Sequence, residues 1–262
     1  MAKGSAVSVI IITKNEAENI TGCIEGARMA SDDIIVIDSG STDATVALAE
    51  KAGARVITVL WEGFGAARNA GAKVALNDWI LAIDADERVT RELANAVGAI
   101  NTGDEAVIYG FKRQNYFLGK KIRFGEWGRD KVYRLYNRKR VAWDLSPIHE
   151  HPVGENTTHK MIGGAADHYP VTREEQNTEK TIRYATLNAE KFYMRGKKAT
   201  FVKRFLSPAF NFFKCYVLLL GFLDGKEGFA IARVTSYYVW LKYDLLHKLY
   251  LREGGVGCSK CQ

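Results

Sequence analysis

The sequence predicts an α/β fold with a mostly parallel central sheet, followed by a helical, basic and aromatic C-terminal extension. Three observations carry this expectation. The first hundred residues alternate between short β-branched runs and segments with helical spacing. The runs are apolar throughout, as in strands covered on both faces. From Glu174 onward the chain reads as helix, dense in Lys, Arg and aromatic residues and interrupted by Pro208.

Val7–Ile12 (VSVIII) is the first strand. Glu16–Ala30 follows as a helix, with Ile20, Cys23, Ile24 and Ala27 on one stripe. Ile34–Ile37 is the second strand, and Thr42–Ala52 a helix that Gly53 ends. Arg55–Leu60 is the third strand, Gly65–Leu76 a helix of small residues, Trp79–Ile83 the fourth strand and Thr90–Ile100 a further helix. Such alternation indicates a parallel sheet with helices on both faces and a ligand site beyond the carboxyl ends of the strands. Val107–Phe117 and Lys131–Val141 read as longer, aromatic-rich strands of a mixed sheet, separated by the basic loop Gly119–Asp130. Residues 1–172 form one domain with halves at 1–100 and 101–172, and residues 173–262 form the extension.

Composition bounds the function. With 262 residues, 47% of them hydrophobic and 26% charged, the chain has the makeup of a globular protein rather than a disordered one. Lys and Arg exceed Asp and Glu by 37 to 30, a net charge of +7 that suits anionic partners. No nucleic-acid motif accompanies that charge, so no nucleic-acid partner is expected. The four cysteines are too few and scattered for a disulfide framework, and Cys258 and Cys261 form a single C-x-x-C without the second pair a zinc site needs. No signal peptide is visible, and the longest uncharged apolar stretch, Cys215–Leu223, falls short of the ~20 residues that span a bilayer. A cytoplasmic location is the expectation.

Four polar clusters fall where the crevice should be. They are Thr13-Lys14-Asn15-Glu16 after strand one, Asp38-Ser39-Gly40-Ser41-Thr42-Asp43 after strand two, Arg68-Asn69 in the third helix, and Asp84-Ala85-Asp86-Glu87 after strand four. Asp84 and Asp86 repel each other unless protons or a cation compensate. A hard divalent ion suits them, because Mg²⁺ takes one or two carboxylates and completes its shell with water and phosphate oxygens. Such an ion would absorb charge on a departing diphosphate. Asp38 can accept hydrogen bonds from a base or ribose, while Asp43 suits the start of the following helix. Thr13, Asn15, Glu16 and Ser39 stand ready for the same ligand. The glycine pattern at Gly63-Phe64-Gly65 opens no dinucleotide fingerprint, since position 68 is Arg.

Taken together, Thr-Lys-Asn-Glu, Asp-Ser-Gly-Ser-Thr-Asp, Ala-Arg-Asn-Ala-Gly and Asp-Ala-Asp-Glu resemble the motifs of family 2 glycosyltransferases with the GT-A fold, in order and spacing through about residue 90. Trp143–His151 (WDLSPIHEH) and Phe222–Phe229 (FLDGKEGF) extend a looser resemblance, to lipopolysaccharide core transferases of the β-1,4-glucosyltransferase type, over nearly the whole chain. The resemblance implies a metal-dependent, inverting transfer of a hexose from a nucleotide-sugar, a UDP-sugar, to a lipid-linked saccharide of the cell envelope. Residues 1–100 would then bind the donor and 101–172 the acceptor. Glu16, Asp38 and Arg68 would hold the nucleotide end, and Asp84 and Asp86 would sit at the diphosphate and a Mg²⁺ or Mn²⁺ ion. Inversion needs a base on the acceptor hydroxyl. Glu150 is the candidate, with Glu87 also in contention, and His149 could complete a Mn²⁺ site. Arg129, Lys131 and Arg134 could clamp the leaving diphosphate or a phosphorylated acceptor, or form a solvated basic face. A polyprenyl-phosphate sugar transferase, which needs no base, and a non-catalytic nucleotide-sugar-binding module are the alternatives.

Residues 197–250 mix cations with Phe, Tyr, Trp and Leu, as in Phe201–Leu206 and Tyr237–Leu246. Helices of this kind dock at a membrane surface, here the inner face of the cell membrane, or else pack as a helical subdomain.

Overall fold

A computed structural model describes residues 7–146, 150–171 and 174–256. In chain order the strands are β1 (Val7–Thr13), β2 (Asp33–Asp38), β3 (Arg55–Thr58), β4 (Trp79–Asp84), β5 (Glu87–Val89), β6 (Val107–Phe117), β7 (Lys120–Lys121), β8 (Lys131–Asn137), β9 (Ala142–Trp143), β10 (Pro152–Val153) and β11 (Thr158–Val171). The helices are α1 (Ile20–Arg28), α2 (Thr45–Lys51), α3 (Phe64–Val74), α4 (Arg91–Gly98), α5 (Glu174–Met194), α6 (Ser207–Phe213) and α7 (Gly225–Val256). Two compact units emerge. One holds the described residues up to Gln114 together with Asp130–Tyr169; the other holds Asn115–Arg129 and the residues from Pro170 on.

The first unit is built on a sheet ordered β3-β2-β1-β4-β8-β6-β11-β5. Its β3-β2-β1-β4 part is parallel, as the alternating pattern predicts. Antiparallel pairs β4–β8, β8–β6 and β11–β5 continue it. Every residue of β1 and β2 is buried, and alternation along each strand sorts its side chains between two cores. Val7, Val9 and Ile11 join Ile34, Val36, Leu81 and Ile83 on one face, under Ile20, Cys23, Ile24 and Ala27 of α1. Ile10, Ile12, Ile35, Ile37 and Ile80 fill the other face, under Ala67 and Ala72 of α3. The small residues of α3 are required there: a Cβ on Gly71 would lie 2.6 Å from Ile10 Cγ2.

Some expectations needed correction. The first helix begins at Ile20 because Glu16–Asn19 closes a turn, its Glu16 carbonyl accepting from the amides of Asn19 and Ile20. The strand expected over 131–141 stops at Asn137, whose carbonyl accepts from Arg140 and Val141 and whose side chain accepts from Lys139. Strands β5 and β11 were not anticipated. The 14 residues of β11 include Gly163, Gly164 and Pro170, residues unfavourable to strand interiors, so no strand pattern shows. Gly119–Arg129 of the basic loop group with the second compact unit, where Asp224 accepts hydrogen bonds from the amides of Arg123 and Phe124.

In the second unit α5 lies along α7, with Phe192 against Tyr243 and Tyr193 against Tyr250. A helical stretch over Val202–Leu218 has π-helical turns on either side of α6, Val202–Leu206 and Lys214–Leu218. Among the described residues no single helix is long and apolar enough to cross a membrane; Val202–Leu218 and Gly221–Leu251, bent by 69° at their junction, meet that length and composition only as a pair.

Candidate active site

The ladder registers set Thr13 beside Asp38 and Ile12 beside Asp84, so β1, β2 and β4 end level with one another. The polar clusters that follow them therefore share the carboxyl edge of the parallel strands, the usual ligand position in such sheets. The first two clusters are stitched together. The Asn15 amide donates to Ser41 Oγ at 2.8 Å, and Asn15 Oδ1 accepts from the Thr42 amide at 2.8 Å. Asn15 achieves this at φ 55, a left-handed conformation that Asn tolerates. The Glu16 amide donates to Thr45 Oγ1, and the Glu16 carboxylate accepts from Asn19.

Asp38 is buried, and its carboxylate accepts from the amides of Gly40 and Ser41 and from the Ser41 hydroxyl. It shapes its own loop, retaining lone pairs that a ligand could share. Asp43 accepts from the amide and hydroxyl of Thr45 at the start of α2. Ser39 is buried, its amide bonded to the Thr13 carbonyl, and Thr13 Oγ1 is buried without a hydrogen-bond partner.

The acidic pair is balanced differently from the sequence-based expectation. Asp84 Oδ1 lies 2.7 Å from Arg68 Nη2, and Oδ2 lies 2.8 Å from Arg134 Nη2. Burial alone would push the Asp84 carboxyl up; the guanidinium groups of Arg134 and Arg68 outweigh it and hold the carboxyl far below the usual carboxylate range. The compensation ascribed to a divalent ion is thus supplied at Asp84 by two arginines. The cause is long-range: α3 and β8 bring in cations that no local reading of Asp-Ala-Asp-Glu contains. Arg134, read as a clamp on a diphosphate or phosphorylated acceptor or as part of a solvated basic face, is buried and bridges Asp84 and Glu87, 3.0 Å from the latter, and its own pKa is raised by both acids against the effect of burial. Arg68, expected at the nucleotide, is buried with its Cζ 4.4 Å from the Trp143 ring centroid; it pairs with Asp84 and, through Nη1 at 2.5 Å, with Glu150. Its Nε has no partner. Glu87 is fully buried and takes Arg113 on its other oxygen, so this carboxylate is enclosed.

Asp86 keeps a different environment. Its Oδ1 lies 3.6 Å from His168 Nε2, a residue the sequence reading missed. Nothing local marks His168. It arrives through the antiparallel register of β11 on β5, where His168 faces Glu87. A carboxylate and an imidazole are a donor set that suits Mn²⁺, with phosphate oxygens and water filling the remaining positions. His149, expected as a metal ligand, lies outside the described residues. Among the described residues, no group of three or more His, Cys, Asp or Glu is placed to hold a metal on its own.

Helix α3 is locked where it carries Arg68. Asn69 pairs with the Trp143 backbone in both directions at 2.9 Å, like an extra strand residue. Gly65 permits this approach, since a Cβ there would lie 2.0 Å from the Asp144 carbonyl oxygen.

The family model described as Glycosyl transferase family 2 matches residues 8–154. The chain is 30% identical to the uncharacterized glycosyltransferase RP128 of Rickettsia prowazekii, over 95% of this chain and 89% of that one. It is 28% identical to the lipopolysaccharide core biosynthesis glycosyltransferase LpsC of Rhizobium meliloti, over 91% of this chain and 93% of the other. Among solved structures, glucosyl-3-phosphoglycerate synthase from Mycobacterium tuberculosis, in complex with Mn²⁺, UDP and glucosyl-3-phosphoglycerate, is 27% identical with a TM-score of 0.35, covering 43% of this chain and 45% of that one.

Proposed function

The chain belongs to glycosyltransferase family 2 and has its α/β GT-A fold, and from that premise we propose that it is an inverting transferase moving a hexose from a UDP-sugar to a lipid-linked saccharide of the cell envelope. One observation carries the reading. Arg68 holds the carboxylates of Asp84 and Glu150 on two nitrogens of a single guanidinium, so the acid motif at the donor edge and the candidate base converge on one group. The similarity to LpsC over most of both chains supports a lipopolysaccharide core acceptor.

In the proposed reaction, Glu150 takes the proton of the acceptor hydroxyl as that oxygen bonds to the anomeric carbon and the bond to the diphosphate breaks. Attack from the face opposite the leaving group inverts the centre. Asp86 and His168 would hold a divalent ion, which when bound neutralises charge developing on the departing diphosphate. Thr13, Asn15, Glu16, Asp38 and Ser39 would form the nucleotide edge. Arg134 keeps Asp84 ionised and holds Asp84 and Glu87 in place. Acting at the inner face of the cell membrane would give the enzyme access to a lipid-linked acceptor.

The test is transfer from UDP-sugars to lipopolysaccharide core acceptors truncated at successive sugars, with wild type and Asp86→Ala. The proposal expects metal-dependent UDP release in the wild type with one acceptor, and none in a folded Asp86→Ala. Full activity in that variant rejects the reading.

A further inference from the structure

Eleven of the 27 exposed large hydrophobic side chains found among the described residues fall within the 23 residues 201–223. Phe201, Phe205, Leu206, Phe210, Leu218 and Leu223 are 71%, 46%, 53%, 62%, 56% and 54% exposed. The π-helical turns Val202–Leu206 and Lys214–Leu218 widen the repeat beyond that of an α-helix, so the four- and five-residue steps from Phe201 through Leu218 keep these side chains to one side. The opposite side of the same stretch is spoken for inside its own unit. Arg204 pairs with Asp244 at 2.5 Å, Asn211 bonds Ser236, Cys215 is buried, and Phe212 and Tyr216 both meet Phe229 edge-on. The stripe is therefore the outer face of a helix whose inner face is already packed. Isolated exposed apolar residues are ordinary, but a run this dense is the mark of an interaction surface.

Charge identifies the partner. Residues 195–226 contain seven Lys or Arg and a single acid, Asp224. That acid is buried and occupied by the Arg123 and Phe124 amides, so it offsets nothing at the surface. Arg195, Lys197 and Lys198 are exposed just before the stripe and Lys226 just after it. An apolar face bordered by cations is the composition of a helix lying in a bilayer interface beside anionic headgroups. The same pattern disfavours a second copy of this chain, whose cations would face these across the contact. The later part of the extension differs. Asp244 and Leu246 of α7 are buried, and Tyr243 and Tyr250 are used against α5, so that segment is packing surface.

We propose that residues 201–223 are an interfacial membrane-docking element, seated with Phe205, Leu206 and Phe210 in the acyl boundary of an anionic bilayer and Arg195, Lys197 and Lys198 at its headgroups. Its purpose, presenting the enzyme to a lipid-linked acceptor, rests on the function proposed above; the binding itself does not.

The test is co-sedimentation of the full chain with vesicles of phosphatidylcholine alone and of phosphatidylcholine mixed with phosphatidylglycerol. Wild type is expected to sediment with the anionic vesicles. The triple variant Phe205→Ser, Leu206→Ser, Phe210→Ser is expected to bind them about tenfold or more weakly, at an unchanged thermal midpoint because these side chains are exposed. Lys197→Glu with Lys198→Glu is expected to weaken binding only where phosphatidylglycerol is present. Undiminished binding by the triple variant overturns the proposal. So does a wild type that binds neither vesicle, or one that self-associates through these residues and binds no lipid. No sugar is transferred in this assay, so its failure leaves the catalytic proposal standing, and an inactive enzyme that still binds vesicles leaves this one standing.

Discussion

Arg68 Nη1 lies 2.5 Å from Glu150 Oε1, joining helix α3 to a loop 82 residues further along the chain. The carboxylate is thereby held by a buried guanidinium instead of swinging on an exposed turn. Glu150→Gln keeps a hydrogen-bond acceptor for Arg68 and removes the proton acceptor. It is expected to lower kcat by about 10²–10⁴ while leaving UDP affinity intact, measured by steady-state kinetics beside a UDP titration. Equal kcat in the variant would remove Glu150 from the chemistry.

Removing the guanidinium itself has a structural cost. Arg68→Met leaves Glu150 without its partner and Asp84 with only Arg134, and is expected to destabilise the fold by about 3 kcal/mol, the range for breaking a buried pair from one side. Arg68→Lys is expected to recover only part of that, since an ammonium cannot serve both carboxylates with a planar fork. Urea unfolding of the three proteins decides the order.

The Asp84 carboxyl titrates lower in the folded chain than in the unfolded chain, where it lies near 3.9. Its contribution to stability is therefore fully present above that value and is lost as pH falls toward the folded value. Wild type is expected to lose unfolding midpoint more steeply than Asp84→Asn as pH drops from neutral through the carboxylate range. Parallel slopes for the two proteins would mean that Arg68 and Arg134 do not stabilise the ionised form.

Gly65→Ala should push α3 away from β9, since the new Cβ would meet the Asp144 carbonyl oxygen. A loss of about 1–3 kcal/mol is expected from overpacking. Activity should fall with it, because the paired Asn69–Trp143 contact sets where Arg68 points. Ala at Gly98, which meets nothing within 4 Å, is the control.

What the sequence made legible is what local pattern encodes. The apolar runs of β1, β2 and β4 identified the parallel sheet, and the polar residues after each run are the clusters that gather at its carboxyl edge. Less legible was everything set by register or by distant elements. Arg113 and His168 reach the acids only through sheet pairing, so spacing along the chain could not associate them with Asp86 and Glu87. The charge argument at Asp84 identified the need for cations but not their source, because Arg68 and Arg134 are 16 and 50 residues away. The C-terminal extension read as one basic-aromatic block, yet its two parts face different surroundings, a distinction that only burial reveals.

The most direct measurement of the central claim is calorimetric titration of UDP into wild type and Asp86→Ala, with and without Mn²⁺. The account predicts binding by the wild type that weakens about tenfold or more, ~1.4 kcal/mol, when either the ion or the Asp86 carboxylate is removed, with no further loss when both are absent. UDP binding of equal strength under all four conditions would contradict it.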